Sequence, residues 1–495
     1  MTTSHIISAA TSAFLDQCRP FLLDGQWQGR QESAAIVAID PATGAVVGRF
    51  HGATEADVDL AVAAARRSFD DGRWRRLSPA QREKVLWRVA ELIFAHAQEL
   101  AELECLDGGR LYLPGLQFEV PHAADTFRYY AGWCTKLHGQ VFEASVPGQA
   151  FHGYVRHEPV GVVGQIIPWN GALVAASWKL APALAAGCSV VLKPAELATL
   201  SVLKLGELLQ EAGVPAGVVN ILPGRGRVIG AALAQHPGVD KIAFTGSTAV
   251  GRSLLQSVQG NLKKLTLELG GKSPTLIFAD SNLPDAIRGA AGAIFSGAGQ
   301  VCVAGSRIYA ERSIYDQVCR EVAAIASRLR MGPGLAAESE LGPLISSSHR
   351  DRVHEIVTDP RNGAIRILCG GQPAVGAGFF YPATVIACEH AAIPVVEQEI
   401  FGPVVTIMPF DTESQAIAAS NDSIFGLAAS IWTENFGRAH RVAAAIRSGI
   451  VWINSHGIPE LSMPIGGMRQ SGWGREHGLE GLLIYTESKS VMART

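Results

Sequence analysis

Short apolar runs alternate with helix-like segments between residues 160 and 244, and this alternation constrains the fold more than any other feature. The strand-like runs cover residues 160–167, 187–192, 218–222 and 241–244. Helical spacing of apolar residues occupies the gaps between them, at residues 173–186, 200–212 and 228–235. Strands that alternate with helices in this way predict a doubly wound α/β fold, with a parallel sheet covered by helices on both faces.

A second alternating unit follows residue 271, and a helical region precedes the first. We expect strands at 275–278 and 307–310, and helices at 315–329, 349–357, 413–421 and 437–448. Residues 54–110 predict helices, one of them running over 80–103 after the Ser78-Pro79 cap signal. Residues 486–491 predict a terminal strand, which needs a sheet to join, for example on another subunit.

Composition indicates a globular protein of two or three domains. The chain has 495 residues, 48% of them hydrophobic, and 42 basic against 45 acidic side chains. Such a balance argues against a nucleic-acid or anionic-membrane partner. The eight cysteines show neither zinc-ligand spacing nor a disulfide framework, so we expect reduced thiols and no metal. No signal-peptide pattern opens the chain, and the apolar run 180–192 is too short to span a bilayer, which makes a cytoplasmic location the default expectation.

Cys302 and Glu268 are the residues that point to chemistry. Each lies in a glycine-rich apolar setting, the thiol on a predicted bend and the carboxylate on a strand-like run. A thiolate can attack a carbonyl carbon, and a carboxylate can then activate water to release the acyl group. A lone cysteine is more often an inert buried thiol, but a carboxylate in so apolar a run is costly without a role or partner.

Several loops at predicted strand ends suggest a nucleotide site. Residues 244–251 follow a strand and open a helix, where backbone N–H groups favour a phosphate, although an ordinary tight turn fits equally well. Residues 224–230 resemble a dinucleotide fingerprint whose last spacing is one residue too long. Lys193 and Glu196 follow another strand, where a carboxylate can accept both hydrogens of a ribose diol. Asn170 can donate to a developing oxyanion, although a satisfied buried amide is its more usual fate.

Taken together, these residues resemble the aldehyde dehydrogenase superfamily. The resemblance covers essentially the whole chain and rests on nine motifs in the same order. They are 40–44 (DPATG), 158–163 (EPVGVV), 168–170 (PWN), 193–196 (KPAE), 244–248 (FTGST), 267–272 (LELGGK), 299–302 (GQVC), 399–403 (EIFGP) and 471–476 (SGWGRE). A single motif of this kind is weak, whereas nine in order are specific.

The resemblance implies a catalytic role for five residues. Cys302 is expected to attack an aldehyde to give a thiohemiacetal, which loses hydride to become a thioester. Asn170 and the Cys302 backbone N–H are expected to form the oxyanion hole. Glu268 is expected to activate water for deacylation, while Lys179 and Glu476 relay the proton outward.

The resemblance also implies NAD as the cofactor. Lys193 and Glu196 match the grip on the adenosine ribose, and the Glu196 carboxylate would repel the 2′-phosphate of NADP. Glu399 and Phe401 match contacts to the nicotinamide ribose. The remaining residues assigned to the cofactor are Ile166, Pro168, Trp169, Gly226, Gly230, Phe244, Thr245, Gly246 and Ser247.

Three departures from the family pattern predict a widened substrate tunnel. Gly171, Ser296 and Ile465 stand where the family often carries phenylalanine, so each position loses an aromatic wall. The other residues assigned to the tunnel are Trp178, Val301 and Met463. A wide tunnel favours a bulky or aromatic aldehyde, and residues 454–456 and 464–472 look closest to phenylacetaldehyde dehydrogenases. His349 stands where some relatives carry a cofactor-contacting glutamine, and no role is transferred to it.

The resemblance further implies three domains and a homodimer or homotetramer. An NAD-binding domain is expected from residues 1–136 and 158–269, a catalytic domain from 270–478, and a small oligomerisation flap from 137–157 and 479–495. The alternatives are a dehydrogenase for another aldehyde (aliphatic, betaine or semialdehyde), a CoA-acylating dehydrogenase, a thiol esterase without a redox step and a non-catalytic homologue. The intact Glu268 argues against acylation of CoA, since that residue serves attack by water.

Overall fold

Strands and helices alternate along most of the chain. The computed structural model describes residues 6–29 and 35–495. Its strands are β1 (Cys18–Arg19), β2 (Phe21–Leu23), β3 (Gln26–Gln28), β4 (Ala35–Ile39), β5 (Val46–His51), β6 (Gln140–Glu143), β7 (Phe151–Pro159), β8 (Val162–Ile166), β9 (Ser189–Lys193), β10 (Val219–Ile221), β11 (Lys241–Thr245), β12 (Lys264–Glu268), β13 (Pro274–Ile277), β14 (Arg307–Glu311), β15 (Arg366–Cys369), β16 (Thr384–Ala387), β17 (Val404–Phe410), β18 (Ala428–Trp432), β19 (Ile450–Ile453), β20 (Gly472–Trp473) and β21 (Thr486–Arg494).

The α-helices fill the intervals between the strands. They are α1 (Ala9–Leu15), α2 (Glu55–Asp71), α3 (Pro79–Ala95), α4 (Ala97–Gly108), α5 (Tyr112–Pro114), α6 (Val120–Ala131), α7 (Ala172–Ala186), α8 (Leu200–Glu211), α9 (Ala231–Gln235), α10 (Thr248–Ser257), α11 (Leu283–Phe295), α12 (Tyr315–Arg328), α13 (Ser347–Val357), α14 (Pro394–Glu397), α15 (Glu413–Asn421), α16 (Phe436–Ala445) and α17 (Gly478–Leu483).

The first sheet contains the parallel strands predicted from residues 160–244. Within the described residues its spatial order is β20-β12-β11-β8-β9-β10-β2-β3. Strands β12, β11, β8, β9 and β10 are parallel, and β20 and β2 pair antiparallel with the two ends of this block. Every residue of β8 and β9 is buried, as expected for strands covered by helices on both faces. The predicted doubly wound α/β fold is confirmed.

The carboxyl ends of four neighbouring strands meet at one edge of this sheet. Ile166 of β8 lies opposite Lys193 of β9 and opposite Phe244 of β11. Thr245 of β11 lies opposite Glu268 of β12. Ligands of open parallel sheets bind outside this edge, so the fold brings the predicted ribose, phosphate and base residues to a common line.

The second sheet carries the predicted nucleophile at its edge. Its order is β15-β16-β17-β14-β13-β18-β19 among the described strands, and β15 alone of these pairs antiparallel. β14 and β17 are neighbours, with Arg307 opposite Thr406. Cys302 lies in the loop that enters β14, and residues 399–401 lie in the loop that enters β17. Both loops therefore lie at the amino-terminal edge of the sheet.

The terminal strand pairs within the same chain. β21 lies antiparallel to β7 over nine residue pairs, from Thr486 opposite Pro159 to Arg494 opposite Phe151. β6 completes this three-stranded sheet on the other side of β7. The strand prediction is confirmed, and the sheet that the strand was expected to join is supplied by β7 of the same chain.

The predicted helices agree with the structure, with one division. Ser78 caps α3 through a capping box with Gln81, as the cap signal indicated. The helix expected over residues 80–103 is divided at His96, whose φ of -103° and ψ of 22° leave the helical region. The helix expected from residue 228 begins instead as a π-turn over Gly226–Gly230. Strands β1 to β5 were not predicted, because each is short and none shows a clear alternation.

Candidate active site

The loop that carries Cys302 is held in a conformation that depends on glycine. Gly297, Ala298 and Gly299 all have positive φ angles, between 55° and 70°. A Cβ atom on Gly299 would lie 2.0 Å from the carbonyl oxygen of Gly402, so no larger residue fits there. Gln300 anchors the loop from the other side, since its side-chain oxygen accepts the N–H of Ile345 at 2.9 Å.

Asn170 is brought to this loop across 130 residues of sequence. Its side-chain Nδ2 donates to the carbonyl oxygen of Gln300 at 2.8 Å. A primary amide carries two N–H groups, and this contact uses only one of them. Gln300 is two residues from Cys302 in sequence, so the amide lies at the nucleophile loop and its second N–H can stabilise a negative oxygen formed by attack of the thiol.

The Cys302 thiol is half-buried and surrounded by carboxylates. Burial raises its pKa to about 12, and the nearby charges of Glu399, Glu268 and Glu476 act in the same direction. A hydrogen bond from the Val303 backbone N–H lowers the pKa. The resting thiol is therefore protonated at neutral pH and needs a base or a positive charge nearby to react.

Glu268 ends β12 at the edge of the first sheet, and its carboxyl group is poised to accept a proton. Burial raises its pKa well above the usual value, and the charge of Glu476 raises it further. Lys179, Arg475 and the Gly467 backbone N–H act in the opposite direction. A carboxylate whose pKa lies nearer to neutrality is a stronger base than an exposed one, as general base catalysis requires.

Lys179 and Glu476 form an ion pair next to this carboxyl group. Lys179 is on α7 and only 2% exposed, and its Nζ contacts Glu476 Oε1. The two residues are 297 positions apart. Because both influence the pKa of Glu268, the pair lies within electrostatic range of it and connects it to further polar groups.

Lys193, Glu196 and Gly226 form a polar cradle at the carboxyl end of β9. Lys193 Nζ lies 3.1 Å from Glu196 Oε2, and the Gly226 N–H donates to Glu196 Oε1 at 3.4 Å. Burial tends to raise the pKa of Glu196, but Lys193 and these backbone contacts hold it below its usual value. The carboxylate is therefore ionised at neutral pH. A Cβ on Gly230 would lie 3.9 Å from Ile166 Cδ1, which places the nearby π-turn over the end of β8.

The turn after β11 has the features of a phosphate site. A Cβ on Gly246 would lie 2.5 Å from the Phe244 ring, so glycine is required for this approach. Ser247 caps α10, and its side chain accepts the Val250 N–H at 3.3 Å. The Thr245 hydroxyl oxygen is buried and has no hydrogen-bond partner among the described residues. An orphaned hydroxyl beside a helix N-terminus fits an anionic ligand.

Glu399 and Phe401 lie between the Glu268 segment and the Cys302 loop. Glu399 Oε1 accepts the Gly271 N–H at 3.0 Å, and a Cβ on Gly270 would lie 2.1 Å from its carboxylate. The Phe401 ring packs against Trp169 with ring centres 5.4 Å apart. His349 Nε2 donates to the Phe401 carbonyl oxygen at 2.7 Å, so this histidine supports the Phe401 backbone.

The residues predicted to line the tunnel are less tightly gathered. A Cβ on Gly171 would meet no atom within 4 Å, and its φ of 169° is an extended conformation that any residue adopts. Ser296 ends α11 and is exposed, while the Ile465 backbone pairs with that of Glu476 at 2.8 and 2.7 Å. Val301 is half-buried beside Cys302. Met463 is 57% exposed, at the protein surface.

The pattern that defines the aldehyde dehydrogenase family matches residues 27–491. The chain belongs to this family. It is 41% identical to a phenylacetaldehyde dehydrogenase of Pseudomonas fluorescens, over 95% of both chains. It is also 41% identical to human retinal dehydrogenase 2, over 100% of this chain and 95% of that one. The NAD⁺ complex of a Bacillus cereus aldehyde dehydrogenase superposes with a TM-score of 0.97 at 40% identity, over 99% of this chain and 100% of that one.

Two histidines of this aldehyde dehydrogenase contact Trp178, and the sequence did not predict either contact. His122 Nε2 accepts the indole N–H of Trp178 at 3.0 Å, and the His477 ring packs on the same indole with centres 4.4 Å apart. Together they fix the side chain of Trp178, which was predicted to line the tunnel. Neither histidine stands in a recognisable motif, and isolated histidines give no local signal of such a contact.

Metal-binding clusters and membrane-spanning helices were also sought among the described residues. Among residues 6–29 and 35–495, no group of three or more His, Cys, Asp and Glu side chains is arranged to hold a metal ion. Within the same ranges, no helix has both the length and the apolar character needed to cross a membrane.

Proposed function

We propose that this family member oxidises an arylalkyl aldehyde to its carboxylic acid, with NAD as the hydride acceptor. The observation that carries the proposal is the convergence of three distant segments. Asn170 is bonded to the Cys302 loop, Gly271 packs against the Cys302 carbonyl, and Glu268 lies three residues before Gly271. Nucleophile, oxyanion donor and base therefore share one site, with the cofactor cradle beside it.

The residues support a two-stage reaction. Cys302 Sγ bonds to the carbonyl carbon of the aldehyde, and the resulting oxyanion receives the free N–H of Asn170 and the Cys302 backbone N–H. NAD, when bound, accepts the hydride that leaves this carbon. A thioester on Cys302 remains, and Glu268 takes a proton from the water that attacks it. The acid leaves, Glu268 returns its proton to the Cys302 sulfur, and Lys179 and Glu476 carry outward the proton that the thiol lost when it attacked the aldehyde.

The cradle around Glu196 fits the dinucleotide. Its ionised carboxylate can accept both ribose hydroxyl hydrogens, while Lys193 neutralises part of its charge. Ser247 leaves a backbone N–H group at the start of α10 for the pyrophosphate, while the Gly246 N–H donates to the Glu268 carbonyl oxygen at 3.0 Å and holds the turn in place. The orphaned Thr245 hydroxyl offers a further donor. Glu399 and Phe401 would contact the nicotinamide ribose, since they lie between the Glu268 segment and the Cys302 loop.

Glu196→Gln tests the preference for NAD over NADP. The substitution removes a negative charge but keeps an acceptor for the ribose. We expect kcat/KM with NADP to rise by about tenfold, equivalent to about 1.4 kcal/mol of repulsion removed, while the value with NAD changes less. Glu211→Gln, an exposed charge on α8, serves as the matched control. If both variants leave the NADP value unchanged, Glu196 does not select the cofactor.

The open space at Gly171 supports an aromatic substrate. A phenylalanine there would project into a region free of protein atoms, so its absence leaves room for a ring of the substrate. Ser296 and Ile465 also stand where the family often carries phenylalanine, so both positions lack an aromatic ring. The relatives named above include a phenylacetaldehyde and a retinal dehydrogenase at equal identity. Overall identity therefore does not decide the substrate, and the proposal rests on these positions.

Gly171→Phe tests the width of the tunnel. We expect kcat/KM for phenylacetaldehyde to fall at least about tenfold relative to that for acetaldehyde, because the new ring occupies the space that the substrate needs. Gly171→Ala should give a smaller loss in the same direction. Gly292→Phe is the matched control, because a Cβ at Gly292 also meets no atom within 4 Å but projects from the exposed surface of α11. Equal losses for both aldehydes would refute the wide tunnel.

The direct test is NADH formation from a panel of aldehydes. Phenylacetaldehyde, benzaldehyde, hexanal, betaine aldehyde and succinic semialdehyde are compared by kcat/KM, each with NAD and NADP. A preference for phenylacetaldehyde with NAD is the expected result. Preference for a charged or short aldehyde would keep the chemistry and reject the aromatic substrate. No NADH with any of them, together with ester hydrolysis, would favour the thiol esterase.

The proposal includes the three domains and the assembly predicted above. The first sheet draws most of its strands from residues 1–136 and 158–269, and the second draws all its described strands from 270–478. β20 departs from this division, since it lies in the latter segment but pairs with β12. The flap sheet exposes Val141, Phe142 and Met492, by 73%, 50% and 59%. Phe142 and Met492 lie side by side on one face of this sheet, both level with Gly153 of β7, and Val141 lies on the other face. Exposed apolar side chains of this kind favour a homodimer or homotetramer, which light scattering measures directly.

A further inference from the structure

Three carbonyl groups fix the backbone around Cys302, and they belong to Gln300, Cys302 and Val303. The Gln300 carbonyl accepts Asn170, and the Cys302 carbonyl lies so close to Gly271 that a Cβ there would come within 2.6 Å. The Val303 carbonyl accepts a third contact, from His456 Nε2 at 2.9 Å. His456 is 153 residues away from Val303 in sequence, so this contact exists only in the folded chain.

His456 is itself held by a chain of hydroxyl groups. Its Nδ1 lies 3.1 Å from Ser430 Oγ, and Ser430 Oγ lies 3.1 Å from Thr275 Oγ1. Ser430 and Thr275 are fully buried on neighbouring strands of the second sheet. A Cβ on Gly305 would lie 2.6 Å from Thr275 Oγ1, so the end of the nucleophile loop lies directly against this chain.

The hydrogen-bonding pattern fixes the state of the imidazole. A carbonyl oxygen only accepts, so Nε2 carries the hydrogen. The Ser430 hydroxyl donates to Thr275 Oγ1, and Nδ1 faces the Ser430 oxygen at 3.1 Å. Burial lowers the pKa of His456 to about 4, and the ring is therefore neutral at neutral pH. A neutral ring whose N–H is bonded to a carbonyl is neither a base for the thiol nor a charge partner of a thiolate. Its effect must pass through Val303.

Val303 connects His456 to the sulfur of Cys302. We propose that His456 is a positioning residue, which holds Val303 so that its backbone N–H points at Cys302 Sγ and stabilises the thiolate. The Val303 carbonyl shares its peptide plane with the Ala304 N–H, which donates to the Val301 carbonyl oxygen at 3.0 Å. This plane is therefore held on both sides, which limits the rotations of Val303 that would turn its own N–H away from the sulfur. This inference rests on the proposed role of Cys302 as nucleophile, but it concerns the ionisation of the thiol and not the oxidation of an aldehyde.

The test is the pH dependence of Cys302 alkylation by iodoacetamide in the intact enzyme. Mass spectrometry of the Cys302 peptide separates this thiol from the other seven cysteines. In His456→Phe the aromatic ring stays and both nitrogens go. We expect the midpoint of the pH profile to rise by about 0.5 to 1 unit, with a three- to tenfold slower reaction below the midpoint and an unchanged plateau at high pH.

Matched variants separate positioning from packing. His456→Gln keeps an N–H at the place of Nε2, so it should restore the midpoint of the native enzyme. His390→Phe makes the same exchange at an exposed loop position and should change nothing. Ser430→Ala removes the support of Nδ1 and should give a smaller upward shift. The carboxylates of Glu399, Glu268 and Glu476 that face the thiol are the same in every variant.

Two outcomes would overturn the proposal. The first is a midpoint in His456→Phe equal to that of the native enzyme, and the second is a glutamine variant that behaves like the phenylalanine variant. If thermal unfolding shows that His456→Phe does not fold, Ser430→Ala decides, and an unchanged midpoint there rejects the idea. An enzyme that shows the shift but forms no NADH from any aldehyde would refute the proposed function and leave the role of His456 intact.

Discussion

Replacing Cys302 with alanine should abolish NADH formation from every aldehyde while NAD still binds. In the proposed mechanism the sulfur forms the covalent intermediate, and no other cysteine of the described residues lies in the loop whose Gln300 carbonyl accepts Asn170. Without it, hydride would have to leave an aldehyde that carries no added nucleophile. We expect kcat to fall by at least about four orders of magnitude, the scale seen when a covalent nucleophile is removed.

Binding and turnover are measured separately in this variant. NAD affinity is measured by calorimetry and should stay within about twofold, because the cradle of Lys193, Glu196 and Gly226 does not contact Cys302. Cys369→Ala is the matched control, since Cys369 is also half-buried but lies on β15 at the far edge of the second sheet. Turnover retained in Cys302→Ala would remove this residue from the mechanism.

The parallel strands of the first sheet were predictable because each can be recognised from its own residues. Residues 160–167 are mostly apolar and rich in β-branched side chains, and residues 241–244 end in the apolar run Ile-Ala-Phe. Each is followed by a helix-like segment. Such strands are buried on both faces, so their sequence alone indicates where they lie. The end of a strand follows from this with an error of a residue or two. For example, β9 begins at Ser189 and not at residue 187, because Gly187 ends α7 in a left-handed conformation.

The site itself was predictable only through the resemblance to a family. Cys302, Glu268 and Asn170 are far apart in sequence. Taken singly, a cysteine is more often an inert buried thiol, and an asparagine is more often a hydrogen-bonded buried amide. Their contacts depend on the packing of one sheet edge against another, which no local pattern encodes. Nine motifs in a fixed order supplied that missing information.

The remaining features were invisible because they arise from single long-range contacts. His456 bonds to Val303 and lies against Ser430, and His122 bonds to Trp178. None of these contacts follows from helical or strand periodicity. The partner of β21 also depends on tertiary structure, since the exposed strand pattern of residues 486–491 does not say which edge it joins. Sequence patterns specify faces and periods, whereas pairing between distant edges is decided by the whole fold.

Glu268→Gln should slow steady turnover much more than the first burst of NADH. In the proposed mechanism the carboxylate is the base that activates water, and this step follows hydride transfer. A glutamine side chain keeps the shape but accepts no proton, so the thioester on Cys302 should accumulate. We expect the steady rate to fall by about 10² to 10⁴-fold, the usual contribution of a general base. Stopped-flow measurement of NADH should then show a burst close to one equivalent per active site.

The pH dependence of the steady rate should also report the ionisation of Glu268. Glu268 must be ionised to accept a proton, and burial raises its pKa, so the steady rate of the native enzyme should fall as the pH drops through that raised value. Glu268→Gln should lack this acidic limb. Glu487→Gln, an exposed carboxylate in an ion pair with Lys264, is the control and should keep both the rate and the limb. An equal loss of burst and steady rates in Glu268→Gln would mean that Glu268 acts before hydride transfer, as the base that ionises Cys302.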